Sequence, residues 1–180
     1  MEKNLSLRPF ELGDVKELLK WAGDERVTRY LQWPRLTTEE EAFAFVRDVC
    51  LPHPWRRSIC LRDRSIGFVS VFPESAENNF KAYFGYGLSY EHWGKGIATR
   101  AVEMAVSEVL KDLPHLLRLQ AFVQVENKAS QRILEKTGFQ REGLLRKYIS
   151  LKGQIHDVFV YSLLPSDLPL VYSSNVSTIN

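Results

Sequence analysis

His92-Trp93-Gly94-Lys95-Gly96-Ile97-Ala98-Thr99 lies between an alternating run, Phe80 to Ser89, and the most regular helical stripe in the chain, Ala98 to Asp112. Two glycines at a passage from strand to helix supply the positive φ that a tight turn demands. Such a turn, feeding a helix N-terminus, leaves backbone N–H groups unpaired beside the positive end of the helix dipole. The ligand this arrangement takes is an anion, a phosphate or pyrophosphate; an ordinary strand-to-helix turn accounts for the same glycines without one. The run is not G-x-x-x-x-G-K-S/T, because Lys95 stands between the glycines, and this disfavours nucleoside triphosphate hydrolysis. G-x-G-x-x-G does not fit either.

Outward from the loop the pattern is strand, helix, strand, helix. Ala82, Phe84, Tyr86 and Leu88 alternate with Lys81, Tyr83, Gly85 and Gly87, and the two glycines invite a bulge. Ala101, Val102, Ala105, Val106, Val109 and Leu110 form the following stripe, with Pro114 just past its end. Leu117, Leu119, Ala121, Val123 and Val125 alternate as a strand, after which Asn127 opens a short helix closed by Gly138. Two hairpins flank this unit: Ser58 to Leu61 with Ile66 to Phe72, and Leu144 to Leu151 with Ile155 to Leu163. Nearer the start, Leu5 to Pro9 reads as a short strand. Asp14 with Glu17 resembles a capping box ahead of Val15, Leu18, Leu19 and Ala22, and Thr38 with Glu41 opens a second helix that Pro52 stops.

Composition bounds the function. The chain has 180 residues, 44% apolar and 26% charged, which suits one globular domain. A net charge of +2 creates no broad field for polyanions, so nucleic acid is a poor first partner. No apolar stretch reaches the length of a membrane span, and the first ten residues carry no leader pattern, so the cytoplasm is the expected location. Cys50 and Cys60 are read as reduced thiols rather than a disulfide framework. Residues 1–164 form the domain, and 165–180, rich in Ser, Pro and Asn, are expected to be weakly ordered.

The loop resembles the acyl-CoA pyrophosphate loop of the GCN5-related N-acetyltransferase (GNAT) superfamily, R/Q-x-x-G-x-G/A. It matches at Gly96 and Ala98, with Trp93 in place of the usual Arg or Gln. The spelling W-G-K-G-I-A-T is similar to that of the ribosomal-protein alanine N-acetyltransferase branch. So are Leu7-Arg8-Pro9-Phe10 with Asp14, and Asn127-Lys128-Ala129-Ser130 with Glu135-Lys136-Thr137-Gly138-Phe139. The resemblance implies a single α/β domain whose mixed, twisted sheet splays between strands four and five and is flanked by helices. Acetyl-CoA as co-substrate, with no metal, would lie in that opening, held by Leu88, Trp93, Gly94, Lys95, Gly96, Ile97, Ala98, Thr99, Asn127 and Ser130. A bulge at Gly85 to Gly87 would free N–H groups to polarise the thioester carbonyl.

Acetyl transfer needs a neutral amine, so a proton must leave an acceptor whose pKa is about 8 for an α-amine or about 10.4 for a lysine. Many relatives place a glutamate five residues before the asparagine; this chain has Phe122 there. Glu91, His92 and Glu126 are possible substitutes, each equally readable as a solvated loop residue. The tyrosine that many relatives carry seven residues after the asparagine is replaced by Leu134. Ser130 and Tyr86 are the candidate catalytic hydroxyls, although Asn127 and Ser130 also suit a plain helix cap and first turn. Tyr30 and Trp33 lie in the loop that would overhang the acceptor, and Arg26, Arg29 and Arg35 share it. The expected acceptor is a protein or peptide amine. A polyamine-like small amine, or a non-catalytic CoA-binding module, are the alternatives, and the assembly is a monomer or a homodimer.

Overall fold

The computed structural model describes residues 4–168. Its frame is one seven-stranded sheet in the order β1-β2-β3-β4-β5-β7-β6. The strands are β1 Leu5–Arg8, β2 Trp55–Leu61, β3 Arg64–Pro73, β4 Lys81–Leu88, β5 Arg118–Gln124, β6 Gln140–Leu151 and β7 Gln154–Leu163. Every neighbouring pair is antiparallel except β4 and β5. A parallel pair needs a crossover, and the helix α4, Ile97–Asp112, supplies it. Both hairpins read from the sequence form as expected, and the tight turns at Arg62-Asp63 and Lys152-Gly153 adopt positive φ.

The parallel pair decides the shape of the site. Register between β4 and β5 runs only from Lys81↔Arg118 to Tyr83↔Gln120, and beyond this the strands part. Against β3, by contrast, β4 stays paired without interruption from Ala82 to Leu88. The bulge expected at Gly85 to Gly87 is therefore absent; strand divergence, not an inserted residue, frees the β4 edge. The glycines have other duties. A Cβ on Gly87 would sit 2.7 Å from the Phe68 ring, so its absence lets that ring lie across the strand.

Helices cover both faces. On one, Val102, Ala105, Val106 and Val109 of α4 are buried against Val69, Val71, Phe84 and Leu119, with Leu134 of α5, Lys128–Lys136. Each of these valine, leucine and phenylalanine side chains contributes about 1.5–3 kcal/mol by leaving water. On the other face lie α1 Val15–Ala22, α2 Glu25–Thr28 and α3 Glu39–Phe45, whose Leu18, Trp21 and Ala42 pack with Phe68. The Thr38 and Glu41 capping box is present: Thr38 Oγ1 accepts the Glu41 N–H at 3.2 Å, and Glu41 accepts the Thr38 N–H at 3.3 Å. After Phe45 the helix widens into one i→i+5 turn, closed by Leu51 N–H on Val46 C=O at 2.9 Å, before Pro52 ends it.

Asp14 departs from the expected box. Its carboxylate receives both Arg8 guanidinium nitrogens, at 2.8 and 2.9 Å, and the Glu11 N–H at 2.9 Å. A nearly buried carboxylate is held by the strongest donors within reach, and the β1 arginine outcompetes the local helix end. Of the tail expected from residue 165, the first four residues are described: Pro165–Asp167 makes a short turn and Leu168 packs against the core. The remainder lies outside the described residues. Cys50 and Cys60 are buried free thiols, and burial pushes both thiols up in pKa. Among the described residues no helix is long and apolar enough to cross a membrane.

Candidate active site

Alternation along β4 determines what the opening presents. Ser89 N–H bonds Ile66 C=O, and Glu74 N–H bonds Lys81 C=O, so odd-numbered residues of β4 direct their main chain toward β3. Even-numbered residues direct theirs toward β5. Where β5 has moved away, the N–H groups of Tyr86 and Leu88 face the gap. Main-chain donors fixed along an unpaired edge suit the stabilisation of developing negative charge on a carbonyl oxygen.

At the end of β4 the chain turns through Gly94 and Gly96, at φ +73° and +77°. Gly96 caps α4 without a side-chain acceptor, and among the described residues no acceptor is given to the N–H groups of 94–99. The loop is anchored by Trp93, whose indole N–H donates to Leu88 C=O at 2.7 Å. Trp93 also packs on Tyr90, with ring centroids 5.1 Å apart, and the Arg26 guanidinium lies 3.7 Å over the Tyr90 ring. In this chain the residue standing in for the usual Arg or Gln thus fastens loop to strand. Ile97 is buried against Ile59, Ile66 and Leu88, which fixes where α4 begins, and Lys95 is exposed.

Across the gap, α5 starts at Asn127, whose Oδ1 accepts the Ser130 N–H at 3.1 Å. The cap places the Ser130 hydroxyl 2.7 Å from the Tyr86 hydroxyl, which also reaches the Ser130 carbonyl at 3.1 Å. Burial pushes the Tyr86 phenol well above its ordinary pKa. It is therefore a neutral hydroxyl that offers one proton.

These parts enclose a cavity of about 660 Å³. Of the residues singled out in the sequence, Tyr30, Tyr86, Leu88, Trp93, Gly94, Gly96, Ala98, Thr99, Asn127 and Ser130 line it; Lys95, Ile97 and Trp33 do not. Trp33 instead packs among Phe45 and Phe68 at 5.2 and 5.0 Å, because its loop folds back onto the core under α3. His92 and Glu126 line the cavity, Glu91 does not, and the buried His92 Nδ1 has no hydrogen-bond partner among the described residues. Lys128, Arg132 and Lys136, at i, i+4 spacing on α5, make a cationic margin that the sequence reading passed over. Their spacing was the available signal.

The opposite face of the opening is aromatic. Phe122 stacks on Tyr148 at 5.2 Å and approaches Tyr83 at 5.8 Å, so no carboxylate stands at that point of β5. The tip of the β6–β7 hairpin arches toward α2, where the Lys152 ammonium donates to Thr28 C=O at 2.7 Å. The result is an opening with donors on one edge, a hydroxyl pair at its wall, a cation-rimmed cavity at one end and an aromatic entrance on the other face.

Comparison with known proteins agrees with this geometry. Residues 4–140 match the family described as Acetyltransferase (GNAT) domain. The chain is 35% identical over 168 residues to the uncharacterized N-acetyltransferase p20 of Bacillus licheniformis, covering 90% of this chain and 93% of that one. It is 29% identical over 155 residues to a spermidine N(1)-acetyltransferase of Escherichia coli, covering 84% and 81%. Among solved structures, the fold is similar to that of RimL, a ribosomal α-N-protein acetyltransferase in complex with coenzyme A. The TM-score is 0.79 and the identity 24%, over 90% of this chain and 94% of that one. A sheet parted between β4 and β5, a glycine loop capping α4 and a family match across most of the chain identify it as a member of the GNAT family, an acetyl-CoA-dependent N-acetyltransferase.

Proposed function

We propose that this enzyme moves the acetyl group of acetyl-CoA directly to a primary amine of a protein or peptide, in the opening between β4 and β5. The pyrophosphate rests on the N–H groups of 94–99 and the start of α4, with the α5 cations beside it. The amide of Asn127 both caps α5 and meets the pantetheine arm. Tyr30, in the loop after α2, borders the acceptor.

The reaction then follows from the groups present. The neutral amine nitrogen attacks the thioester carbonyl carbon, and the carbonyl π electrons move to oxygen, where the β4-edge N–H groups receive the charge. Collapse of this intermediate breaks the C–S bond, and the sulfur leaves with a proton from the Ser130 and Tyr86 hydroxyl pair. The surplus proton of the amine passes to solvent, since Phe122 occupies the place of a carboxylate base, and the hydroxyl pair regains its proton from solvent.

The observation that carries the acceptor reading is the character of the entrance face. Tyr83, Phe122 and Tyr148 make it aromatic, and the nearby Glu74 is engaged by Lys81 at 3.3 Å and Gln120 at 3.0 Å. A polycation calls for free carboxylates, whereas aromatic walls suit a peptide. Mass spectrometry of products formed from acetyl-CoA with a panel of peptides and polyamines tests this. An N-acetylated peptide is expected; acetylation of polyamines alone would transfer the activity to small amines, and bound CoA with no acetylated amine would leave a binding module.

A further inference from the structure

Arg56 of β2 is only 9% exposed, yet no carboxylate pairs with it among the described residues. Its guanidinium is surrounded by the rings of Phe68, Trp33 and Phe45, at 5.4, 5.6 and 5.8 Å, and its single side-chain hydrogen bond is a long one to the Cys50 sulfur at 3.8 Å. The Nε atom is buried without an acceptor, and so are the indole nitrogens of Trp33 and Trp21 in the same cluster. The neighbouring His53 brings no negative charge; burial and the Arg56 charge hold its imidazole down to about 4. Burying an unpaired cation is costly, and aromatic faces recover only part of that cost. A buried guanidinium with an N–H left without an acceptor calls for an anion.

Register connects this receptor to the reaction site. Arg56 pairs with Ser70, and Ser70 pairs with Gly85, so the three share one sheet face in a row across β2, β3 and β4. A Cβ on Gly85 would meet nothing nearer than Ser70 Oγ at 3.5 Å, which leaves the row open in front of β4. Gly85 adjoins the parted edge where the thioester lies in the proposed function. Two strand spacings, about 10 Å, separate that edge from Arg56.

We propose that Arg56 anchors a carboxylate of the acceptor, so that the substrates are primary amines bearing a carboxylate within about 10 Å of the reacting nitrogen. This rests on the transferase reading above and adds the substrate class to it. The Nε edge without an acceptor is one side of the planar fork that receives a carboxylate. A short ω-amino acid and a peptide N-terminus followed by an acidic residue share this chemistry.

Two readouts test it separately from turnover. Calorimetry in the presence of CoA compares N-acetyl-ε-aminocaproate with its uncharged amide, on the native enzyme and on Arg56→Met. The carboxylate is expected to bind on the order of 10–100-fold more tightly, as befits hydrogen bonds to a charged group, and Arg56→Met is expected to abolish the difference. Equal binding of the two compounds by the native enzyme, or a preference that survives in Arg56→Met, overturns the proposal. Thermal unfolding of Arg56→Met keeps the comparison interpretable: an unpaired buried cation replaced by an apolar chain is expected to leave the midpoint unchanged or raised, and a large fall would assign Arg56 a purely structural duty. Turnover of ε-aminocaproate, and of peptides with Glu or Gln in second place, tests the transferase reading itself. Peptides that exceed the amino acid identify a peptide source, and the reverse identifies a small molecule. A carboxylate preference in binding without acetylation of any amine would sustain the anchor and refute the transferase reading.

Discussion

The Tyr86 and Ser130 hydroxyls stand 2.7 Å apart across the opening, one on the β4 edge and the other in the first turn of α5. They are separated by 44 residues in sequence, and only the parting of β4 from β5 lets α5 bring its serine to the tyrosine. In the proposed function, a neutral phenol and a hydroxyl at this distance act as one donor to a leaving sulfur.

Removing either member therefore lowers kcat without altering acetyl-CoA affinity. Tyr86→Phe and Ser130→Ala are each expected to lose on the order of tenfold, because a thiolate of pKa about 8.5 needs only modest help to leave. The double variant should be no worse than the poorer single one, since the two hydroxyls share one proton. Single-turnover rates on all three variants check this, and additive losses would separate their roles. With the Tyr86 phenol raised in pKa by burial, no loss of activity from its ionisation is expected below about pH 10.

Gly96 is the point of least tolerance in the loop. At φ +77° there is space for a methyl group but not the conformation, and in the proposed function its N–H meets the pyrophosphate. Gly96→Pro forces φ to about −65° and deletes the donor. Acetyl-CoA affinity should fall by roughly tenfold or more in a variant with a native circular dichroism spectrum. Unchanged affinity by calorimetry would remove the loop from the site.

Proton removal from the acceptor is assigned to solvent, so the pH profile should follow the acceptor. For an α-amine, kcat/KM should rise as pH passes about 8, and for a lysine amine it should continue to rise toward about 10. One shared inflection near pH 6–7 for both acceptors would reveal an enzyme base, with the cavity-lining His92 and Glu126 the first to substitute.

Glu142 joins three strands at the far edge of the sheet. Arg118 grips both its oxygens at 2.8 and 2.6 Å, Ser162 donates at 2.6 Å, and these bonds hold its carboxyl down to about 2 from an ordinary 4.5. Because the folded value is the lower one, the stabilisation is complete above about pH 4.5 and is lost as pH falls toward 2. Partial exposure limits it to about 1 kcal/mol. The unfolding midpoint of Glu142→Gln should thus fall less steeply over that window than that of the native chain, in melts followed by circular dichroism.

Much of this was legible in the sequence, for physical reasons that also mark where legibility ends. Alternation and 3.6-residue stripes are local, and they located β4, α4, β5, α5 and both hairpins. The glycines of 94–96 announced the tight turn into α4 because positive φ is a local demand. Gly85 and Gly87, equally visible, suggested a bulge, yet the edge is freed by β5, whose divergence no local pattern records. Asp14 was claimed by Arg8 from another element. Trp33 read as an overhanging loop residue and is folded inward. Arg56, before the Ser58–Leu61 run read as strand, gave no sign of being a buried cation, since its environment comes from α3 and the loop before it.

In the proposed function, acetyl-CoA and an amine meet in the opening between β4 and β5 from opposite faces of the sheet. A conjugate that joins the CoA sulfur to a peptide N-terminus through an acetyl bridge occupies both halves at once. Inhibition kinetics with this conjugate should show competition against acetyl-CoA and against the peptide, with an inhibition constant well below the dissociation constant of CoA. A conjugate that binds no better than CoA and competes with acetyl-CoA alone would contradict the account.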